Sequence, residues 1–309
     1  MTNQPNKHHF LPVFYLKRWA GSDQRVCQFS KPHRDNVVPK RQHPDATGYI
    51  KRLYAIEGLP EEEAVAFERT FLSPVDSRAA EALEIMRDQH AASTFTAKQR
   101  EAWAGFLASL MSRMPEDIRK VKEHVKGDWL AGVPELQEKY TEAKAAGDPE
   151  SVLEYIRSSD DLLFEKGAFT VLRRIMDHKT AARAMVSFHW SVLKVEHARL
   201  SLLTSDRPLI YTHHMMGWDS CILLPIGPYE IFLAVKERGY ADHIKNRSQT
   251  ELVRNINQAV VENADHYIYG VDDQQLRFIQ NRMGTNKAPT LVDRLNEVRR
   301  RRSEALSST

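Results

Sequence analysis

The chain has 309 residues, of which 42% are hydrophobic and 28% are charged. These proportions are typical of a globular protein and exclude a disordered chain. No apolar run approaches the ~20 residues that a membrane-spanning helix needs, and the N-terminus lacks the apolar segment of a secretory signal. We therefore expect a cytoplasmic protein, in which Cys27 and Cys221 are too few for a disulfide scaffold or a cysteine zinc cluster.

The formal net charge of +3 is unevenly distributed along the chain. Residues 1–59 hold ten Lys and Arg against four Asp and Glu, and residues 286–309 hold six against three. The part between them is therefore acidic. Basic segments at both ends indicate either a polyanionic partner, such as nucleic acid, or charge complementarity within the fold.

The first 59 residues are predicted to form a small β-rich unit. Residues 26–30, 37–38 and 48–56 are rich in side chains that suit a pleated sheet. Ahead of them, residues 7–19 combine two histidines and a proline with a dense group of aromatic and aliphatic side chains. Because chain ends are usually loose and polar, this composition indicates a segment that is buried or that forms part of a site.

Residues 60–185 are predicted to form a helical block. A Ser-Pro pair at Ser73 is a helix-start signal. A capping box beginning at Thr96 opens a second helix, which we expect to reach Arg113. A longer helix is expected between about residues 160 and 184, because apolar residues recur there at helical spacing.

Strand patterns return after residue 185 and enclose one helix. The predicted strands lie at residues 188–195, 200–204, 220–224, 229–235 and 266–270, and the helix lies at residues 248–264. Residues 186–285 thus form a β-rich α+β part that completes the core, and residues 286–309 form a basic helical tail. The predicted fold class is α+β, with a predominantly helical middle block and strands contributed by the N-terminal and C-terminal parts of one compact unit.

Several motifs recur in an order that carries a family resemblance. They are residues 8–16 (His-His-Phe-Leu-Pro-Val-Phe-Tyr-Leu), Leu53 and Tyr54 ahead of a helix bearing Phe67 and Glu68, residues 203–208 (Leu-Thr-Ser-Asp-Arg-Pro), residues 224–228 (Leu-Pro-Ile-Gly-Pro), and Asn257 followed by residues 267–269 (Tyr-Ile-Tyr). In this order they resemble a large, mainly bacterial family catalogued as domain of unknown function 4238. The Ile-Gly pair at Ile226 departs from the commoner pair of that family. The resemblance covers residues 7 to about 270 and implies no established activity.

The adjacent histidines His8 and His9 are the first candidate catalytic residues. Neighbouring side chains on an extended segment point to opposite sides, so we expect one imidazole to face a site while the other holds the backbone. An imidazole that titrates near neutral pH can act as a general acid or base, or bind a metal ion. The alternative is a structural hook in which both rings are hydrogen-bonded to backbone.

Acidic and basic candidates lie farther along the chain. Asp206 follows a predicted buried strand, where functional side chains gather in many folds, and it is a candidate catalytic or metal-binding carboxylate. The alternative is a turn in which Asp206 accepts hydrogen bonds from backbone amides. Glu68 would complete a His9, Glu68 and Asp206 metal site for Mg²⁺, Mn²⁺ or Zn²⁺, unless it lies on a solvated helix face. Arg113 is a candidate catalytic residue that grips a phosphate.

Candidate substrate contacts complete the predicted site. Tyr15, Arg18 and Tyr54 belong to the aromatic and basic N-terminal part, and Ser205 precedes Asp206. Asn257, on the late helix, is expected to hydrogen-bond the turn at Ser205, in a structural role or a catalytic one.

Two hypotheses of function follow. The chain has no Walker-type phosphate loop, Gly-x-Gly-x-x-Gly, His-Glu-x-x-His or Cys-x-x-Cys, which argues against NTP hydrolysis, nicotinamide chemistry and classical zinc proteolysis. The first hypothesis is a metal-dependent phosphodiesterase or nuclease acting on nucleic acid. The second is a non-catalytic sensor or binding module of a stress or phage-defence locus, recognising a small ligand or a protein partner from the same locus.

Overall fold

The fold combines antiparallel sheets contributed by both ends of the chain with a block of helices from its middle. The computed structural model describes residues 6–33, 35–88, 94–158, 162–177, 179–212 and 217–307. Within them the strands form one two-stranded sheet and two four-stranded sheets. The predicted α+β fold class is confirmed.

The N-terminal part contains a short strand that the sequence did not predict. Its elements are β1 (Lys7–His9), α1 (Val13–Leu16), β2 (Val26–His33), β3 (Asn36–Gln42) and β4 (Tyr49–Lys51). The unpredicted strand β1 pairs with β4 and places His8 opposite Ile50 and His9 opposite Tyr49. The strand predicted at residues 48–56 is shorter than expected, because Arg52 adopts φ +57° and turns the chain out of the sheet.

The middle of the chain is helical, as predicted. Its elements are α2 (Glu61–Ala64), a π-helical turn (Glu68–Leu72), α3 (Ser73–Arg87), α4 (Ala97–Leu110), α5 (Pro115–Ala131), α6 (Val133–Ala143), α7 (Val152–Ser158), α8 (Leu162–Met176) and α9 (Lys179–Ser187). The capping box is confirmed, with the Thr96 hydroxyl accepting from the Gln99 amide at 3.3 Å and the Gln99 side chain accepting from the Thr96 amide at 2.7 Å.

Three helix boundaries differ from the prediction. The helix that begins at the capping box ends at Leu110, because Met114 takes an extended conformation before the proline that starts α5. The long helix expected between residues 160 and 184 is divided into α8 and α9. Ser73 does not start a separate helix, because the π-helical turn runs directly into α3. We attribute this wider turn to Pro74, whose ring would clash with the carbonyl of a regular turn.

The C-terminal part supplies most of the two larger sheets. Its elements are β5 (His189–Lys194), β6 (Thr204–Ser205), β7 (Ile210–Tyr211), β8 (Cys221–Gly227), β9 (Glu230–Val235), α10 (Arg238–Lys245), α11 (Gln249–Asn263), β10 (Ile268–Gly270), α12 (Leu276–Gln280) and α13 (Leu291–Ser307). One sheet has the order β3-β2-β10-β6 and the other β5-β9-β8-β7. The first joins the N-terminal hairpin to strands more than 160 residues later in the chain, so both ends of the chain build one core.

The main hydrophobic core lies between these sheets and α4. Trp19, Trp103, Phe106, Phe232 and Tyr269 are all fully buried in it. The aromatic N-terminal segment is therefore a core element, and its burial explains the unusual composition of this end of the chain. Among the residues that the structure describes, no helix has both the length and the apolar character required to cross a membrane.

Candidate ligand-binding site

A pocket of about 740 Å³ lies between the N-terminal segment and the helices that follow residue 60. Residues 7–14 supply one wall, and residues 61–80, including the π-helical turn and the start of α3, supply the other. We call it the His9–Glu68 pocket, after the residue that dominates each wall. Its volume falls within the roughly 300–1,000 Å³ that small-molecule sites occupy.

His9 lines this pocket and has an unsatisfied ring nitrogen. Its Nε2 is buried and has no hydrogen-bond partner among the described residues. Burial lowers the pKa of His9 to about 4, helped by the positive charges of Lys7 and Arg113 and opposed by a hydrogen bond to the backbone of Asp45. The ring is therefore neutral at pH 7. With the proton assigned to Nδ1, which the bond to the Asp45 backbone favours, Nε2 is an acceptor.

His8 has a different environment, as expected for neighbours on a strand. Its side chain is buried, and its Nδ1 accepts a hydrogen bond from the Tyr54 amide at 2.8 Å. The ring also stacks on Tyr54 with a centroid separation of 5.7 Å and an interplanar angle of 9°. His8 thus holds β1 against the segment that follows β4 and positions His9.

Glu68 is the second unsatisfied group of the pocket. Its Oε2 is buried, and no described residue hydrogen-bonds it. Burial raises the pKa of Glu68 to about 7, opposed by the nearby charge of Arg113 and assisted by that of Asp76. Glu68 is also the first residue of the π-helical turn, a distortion that is frequent at functional sites. At neutral pH its carboxyl group can therefore either donate or accept a hydrogen bond.

Arg113 lies behind the pocket lining and joins its two walls. The fully buried guanidinium donates to both carboxylate oxygens of Asp76, at 2.7 and 2.9 Å, and to the His9 carbonyl at 2.9 Å. The Tyr54 hydroxyl donates to the Arg113 carbonyl at 2.7 Å. The structure thus gives Arg113 an internal carboxylate partner in place of the phosphate expected from the sequence, and its charge is already compensated by Asp76.

Asp206 is engaged elsewhere in the fold. Its Oδ1 accepts from the Asp265 amide at 2.9 Å, and its Oδ2 accepts from the His266 and Tyr267 amides at 2.6 and 3.1 Å. Burial, together with the charge of Asp265, raises the pKa of Asp206 to about 6, against the effect of these amides. The alternative proposed from the sequence, a carboxylate bound to backbone amides, is the one that the structure contains.

The predicted metal site does not form. His9 and Glu68 line the same pocket, but Asp206 does not line it. In the described part of the chain, no group of three or more His, Cys, Asp or Glu side chains is arranged to hold a metal ion. The expected metal site of His9, Glu68 and Asp206 for Mg²⁺, Mn²⁺ or Zn²⁺ is therefore corrected. Only His9 and Glu68 lie in the same pocket, and Asp206 is not available as a third ligand.

The predicted substrate contacts serve the core instead of the pocket lining. The Tyr15 hydroxyl donates to the Pro225 carbonyl at 2.7 Å, and Arg18 pairs with Glu230 at 3.1 Å. The Ser205 hydroxyl accepts from the Arg207 amide, Asn257 binds the chain before β6, and Tyr54 supports His8. The residues that line the pocket do not include Tyr15, Arg18, Tyr54, Ser205 or Asn257.

Sequence reasoning missed Asp76 and most of the second wall. The lining contains four acidic residues against two basic ones, namely Glu61, Glu62, Glu68 and Asp76 against Lys7 and Arg69. The helix start predicted at Ser73 placed Glu68 and Asp76 on separate helices. A continuous helical chain across Ser73 would have indicated that the two carboxylates, eight residues apart, share one side.

One family model matches the chain. Its description is protein of unknown function (DUF4238), and the match spans residues 7–274, which include the whole His9–Glu68 pocket and every strand described above. Comparison with curated proteins and with solved structures gives no match. The resemblance seen in the sequence motifs is confirmed, and the chain belongs to the DUF4238 family.

Proposed function

We propose that the protein is a ligand-binding module and that a small polar molecule, neutral or cationic, binds in the His9–Glu68 pocket. One observation carries the proposal: His9 and Glu68 line the two walls of one pocket, and each has a buried atom, Nε2 and Oε2, that lacks a partner among the described residues. A buried polar atom without a hydrogen bond costs about 1–3 kcal/mol. A ligand that bonds to both atoms would remove that cost.

The polarity of the two groups defines the ligand. Neutral His9 offers an acceptor at Nε2, and Glu68 offers an acceptor when ionised. A matching ligand therefore carries N–H or O–H donors, as amines, amidines, polyols and nucleosides do. The excess of acidic residues in the lining favours a cation over an anion.

The same electrostatics argue against a nuclease at this site. A phosphodiester would have to approach a pocket whose lining has more acidic than basic residues, and Arg113, the arginine expected to grip a phosphate, is already bound to Asp76. A second candidate function, acid–base catalysis on the bound ligand, is favoured by Glu68, whose pKa of about 7 suits proton transfer at neutral pH. It requires the same ligand to bind first.

Binding of matched probes by isothermal titration calorimetry tests the proposal. The probes are spermidine and benzamidine as cations, adenosine as a neutral donor, and adenosine monophosphate and a single-stranded DNA dodecamer as anionic counterparts. We expect a cationic or neutral probe to bind. Its affinity should fall at least tenfold in Glu68→Gln, which removes the carboxylate charge, and in His9→Ala, which removes the Nε2 acceptor.

Glu81→Gln is the matched control, since Glu81 is an exposed acid on α3 that does not line the pocket. The Glu81→Gln variant should bind the probe with the same affinity as the wild type. Binding of the anionic probes alone, or affinity retained in both Glu68→Gln and His9→Ala, would remove the proposal. Turnover of a bound probe that is lost in Glu68→Gln while binding persists would support the catalytic candidate.

A further inference from the structure

A second pocket, of about 300 Å³, lies between β7, the end of α11 and the segment that leads into α13. We propose that this pocket binds a small anion through a carboxylate or phosphate group. The inference is independent of the His9–Glu68 pocket, which shares none of its lining residues. We call the second site the Arg294 pocket.

Basic side chains from three separate segments meet in the Arg294 pocket. Arg207 follows β6, Lys287 precedes α13, and Arg294 lies on the first turns of α13. Glu262 is the single acidic residue of the lining. The balance of charge is thus the reverse of that in the His9–Glu68 pocket, and it favours an anionic ligand.

Arg294 is the residue on which the proposal depends most. Its guanidinium lies 4.9 Å from the centre of the Tyr211 ring and donates from Nη1 to the Tyr211 hydroxyl. Its Nε is buried and has no hydrogen-bond partner in the described part of the chain, where Arg294 also forms no ion pair. The contact with Tyr211 therefore fixes a guanidinium whose Nε–H lacks an acceptor among the described residues, and an oxyanion would supply one. Arginine commonly binds carboxylate and phosphate with two parallel hydrogen bonds.

The two other basic residues of the lining, Arg207 and Lys287, are partly neutralised by carboxylates outside it. Arg207 binds Asp265 at 2.5 Å and Asp117 at 3.3 Å, and Lys287 approaches Asp265 at 3.3 Å. Neither carboxylate belongs to the lining of the Arg294 pocket. The Lys287 side chain is half exposed on a flexible stem, so it can turn from Asp265 toward a bound anion at little cost.

Asn263 gives the pocket a neutral donor and a fixed wall. Its Oδ1 accepts from the Ala288 amide at 2.7 Å, which holds the segment before α13 against the end of α11. Because the oxygen is used, the side-chain amide nitrogen is the group that Asn263 can offer a ligand. The volume of about 300 Å³ accommodates inorganic phosphate or a short dicarboxylate.

Calorimetric titration with inorganic phosphate and with succinate, at constant ionic strength set by chloride, tests the inference. We expect at least one of the two anions to bind with a Kd in the millimolar range or below. Its affinity should fall at least tenfold in Arg294→Gln and measurably in Lys287→Gln. Binding of phosphate alone identifies a phosphate site, and binding of succinate alone identifies a carboxylate site.

Arg299→Gln is the matched control, because Arg299 is an exposed arginine on the same helix and does not line the pocket. Should Arg294→Gln fail to fold, Lys287→Gln decides, since its side chain is half exposed. The inference is overturned if neither anion binds beyond the chloride background. It is also overturned if Arg299→Gln weakens binding as much as the pocket variants do. Binding that survives in Glu68→Gln separates this site from the proposed function.

Discussion

Arg113 and Asp76 form a bidentate ion pair behind the His9–Glu68 pocket, with Nη1 and Nη2 of the arginine 2.7 and 2.9 Å from the two carboxylate oxygens. The arginine side chain is fully buried and also donates to the His9 carbonyl. The pair therefore fixes α3 relative to β1, and with them the two walls of the pocket. The spacing between His9 and Glu68 depends on this contact.

Asp76→Asn is expected to lower the free energy of unfolding by about 3 kcal/mol, the lower end of the range for breaking a buried pair. The loss stays at that end because Glu68 can ionise and compensate part of the Arg113 charge. Urea unfolding at pH 7 measures the change. Glu81→Ala, an exposed acid on the same helix, should change stability by less than about 0.5 kcal/mol. A similar small change in Asp76→Asn would show that the ion pair does not hold the pocket together.

Glu68→Gln should stabilise the protein at high pH. The folded-state pKa of Glu68, about 7, exceeds its ordinary value of 4.5, so its contribution to stability is fully present below pH 4.5 and is lost as the pH rises through 7. Glutamine imitates the protonated form. We expect little change at pH 4.5 and a gain on the order of 3 kcal/mol at pH 8, measured by urea unfolding across this range. A gain in stability that does not vary with pH would contradict a raised pKa for Glu68 in the folded state.

His9→Gln should have the opposite dependence on pH. The folded-state pKa of His9, about 4, lies below its ordinary value of 6.5, so its contribution is present above pH 6.5 and is lost as the pH falls through 4. The loss of this titrating ring should leave the free energy of unfolding of the variant nearly unchanged at pH 7. At pH 4.5 it should raise that free energy by an amount on the order of 2 kcal/mol relative to the wild type. His43→Gln, at an exposed histidine, serves as the control. Equal behaviour of the two variants would show that His9 is not buried as a neutral ring.

Local signals in the sequence predicted local structure well. The capping box at Thr96 places donor and acceptor within one helical turn, and the structure contains both of its hydrogen bonds. In contrast, β1 has three residues and is stabilised by β4, about forty residues away. No local pattern specifies such a pairing. The π-helical turn before Ser73 was not predicted either. A Ser-Pro pair normally starts a helix, and the sequence therefore indicated a new helix at Ser73.

The candidate site was only half visible in the sequence. His9 and Glu68 were identified because each has an ionisable side chain within a family motif, and the fold brings both to one pocket. Asp206 was placed wrongly in the metal set, because a carboxylate after a strand suits a metal ion and a cluster of backbone amides equally well. Which of the two it meets depends on residues 265–267, whose position is set by β10. The partner of Asp206 therefore depends on the tertiary fold and cannot be read from the sequence around it.

Asn257, a candidate substrate contact in the sequence, makes structural hydrogen bonds in the fold. It is fully buried on α11, where Oδ1 accepts from the Leu203 amide at 2.8 Å and Nδ2 donates to the Ser201 carbonyl and to Gln275 at 2.9 and 3.0 Å. These bonds explain why only Thr204 of the strand predicted at residues 200–204 pairs with β10, together with Ser205 beyond it. The backbone before them is bound by a side chain in place of a neighbouring strand.

Asn257→Ala should therefore lower the free energy of unfolding by roughly 2–4 kcal/mol, because it leaves the Leu203 amide and the Gln275 side-chain oxygen buried without a partner. Gln258→Ala is the matched control. Gln258 is the next residue on α11, is exposed and bonds to Glu262, so its loss should cost less than about 0.5 kcal/mol. Urea unfolding of the two variants measures the difference. If both lose the same small amount, the hydrogen bonds of Asn257 do not stabilise the chain before β6, and its role as a substrate contact has to be tested again.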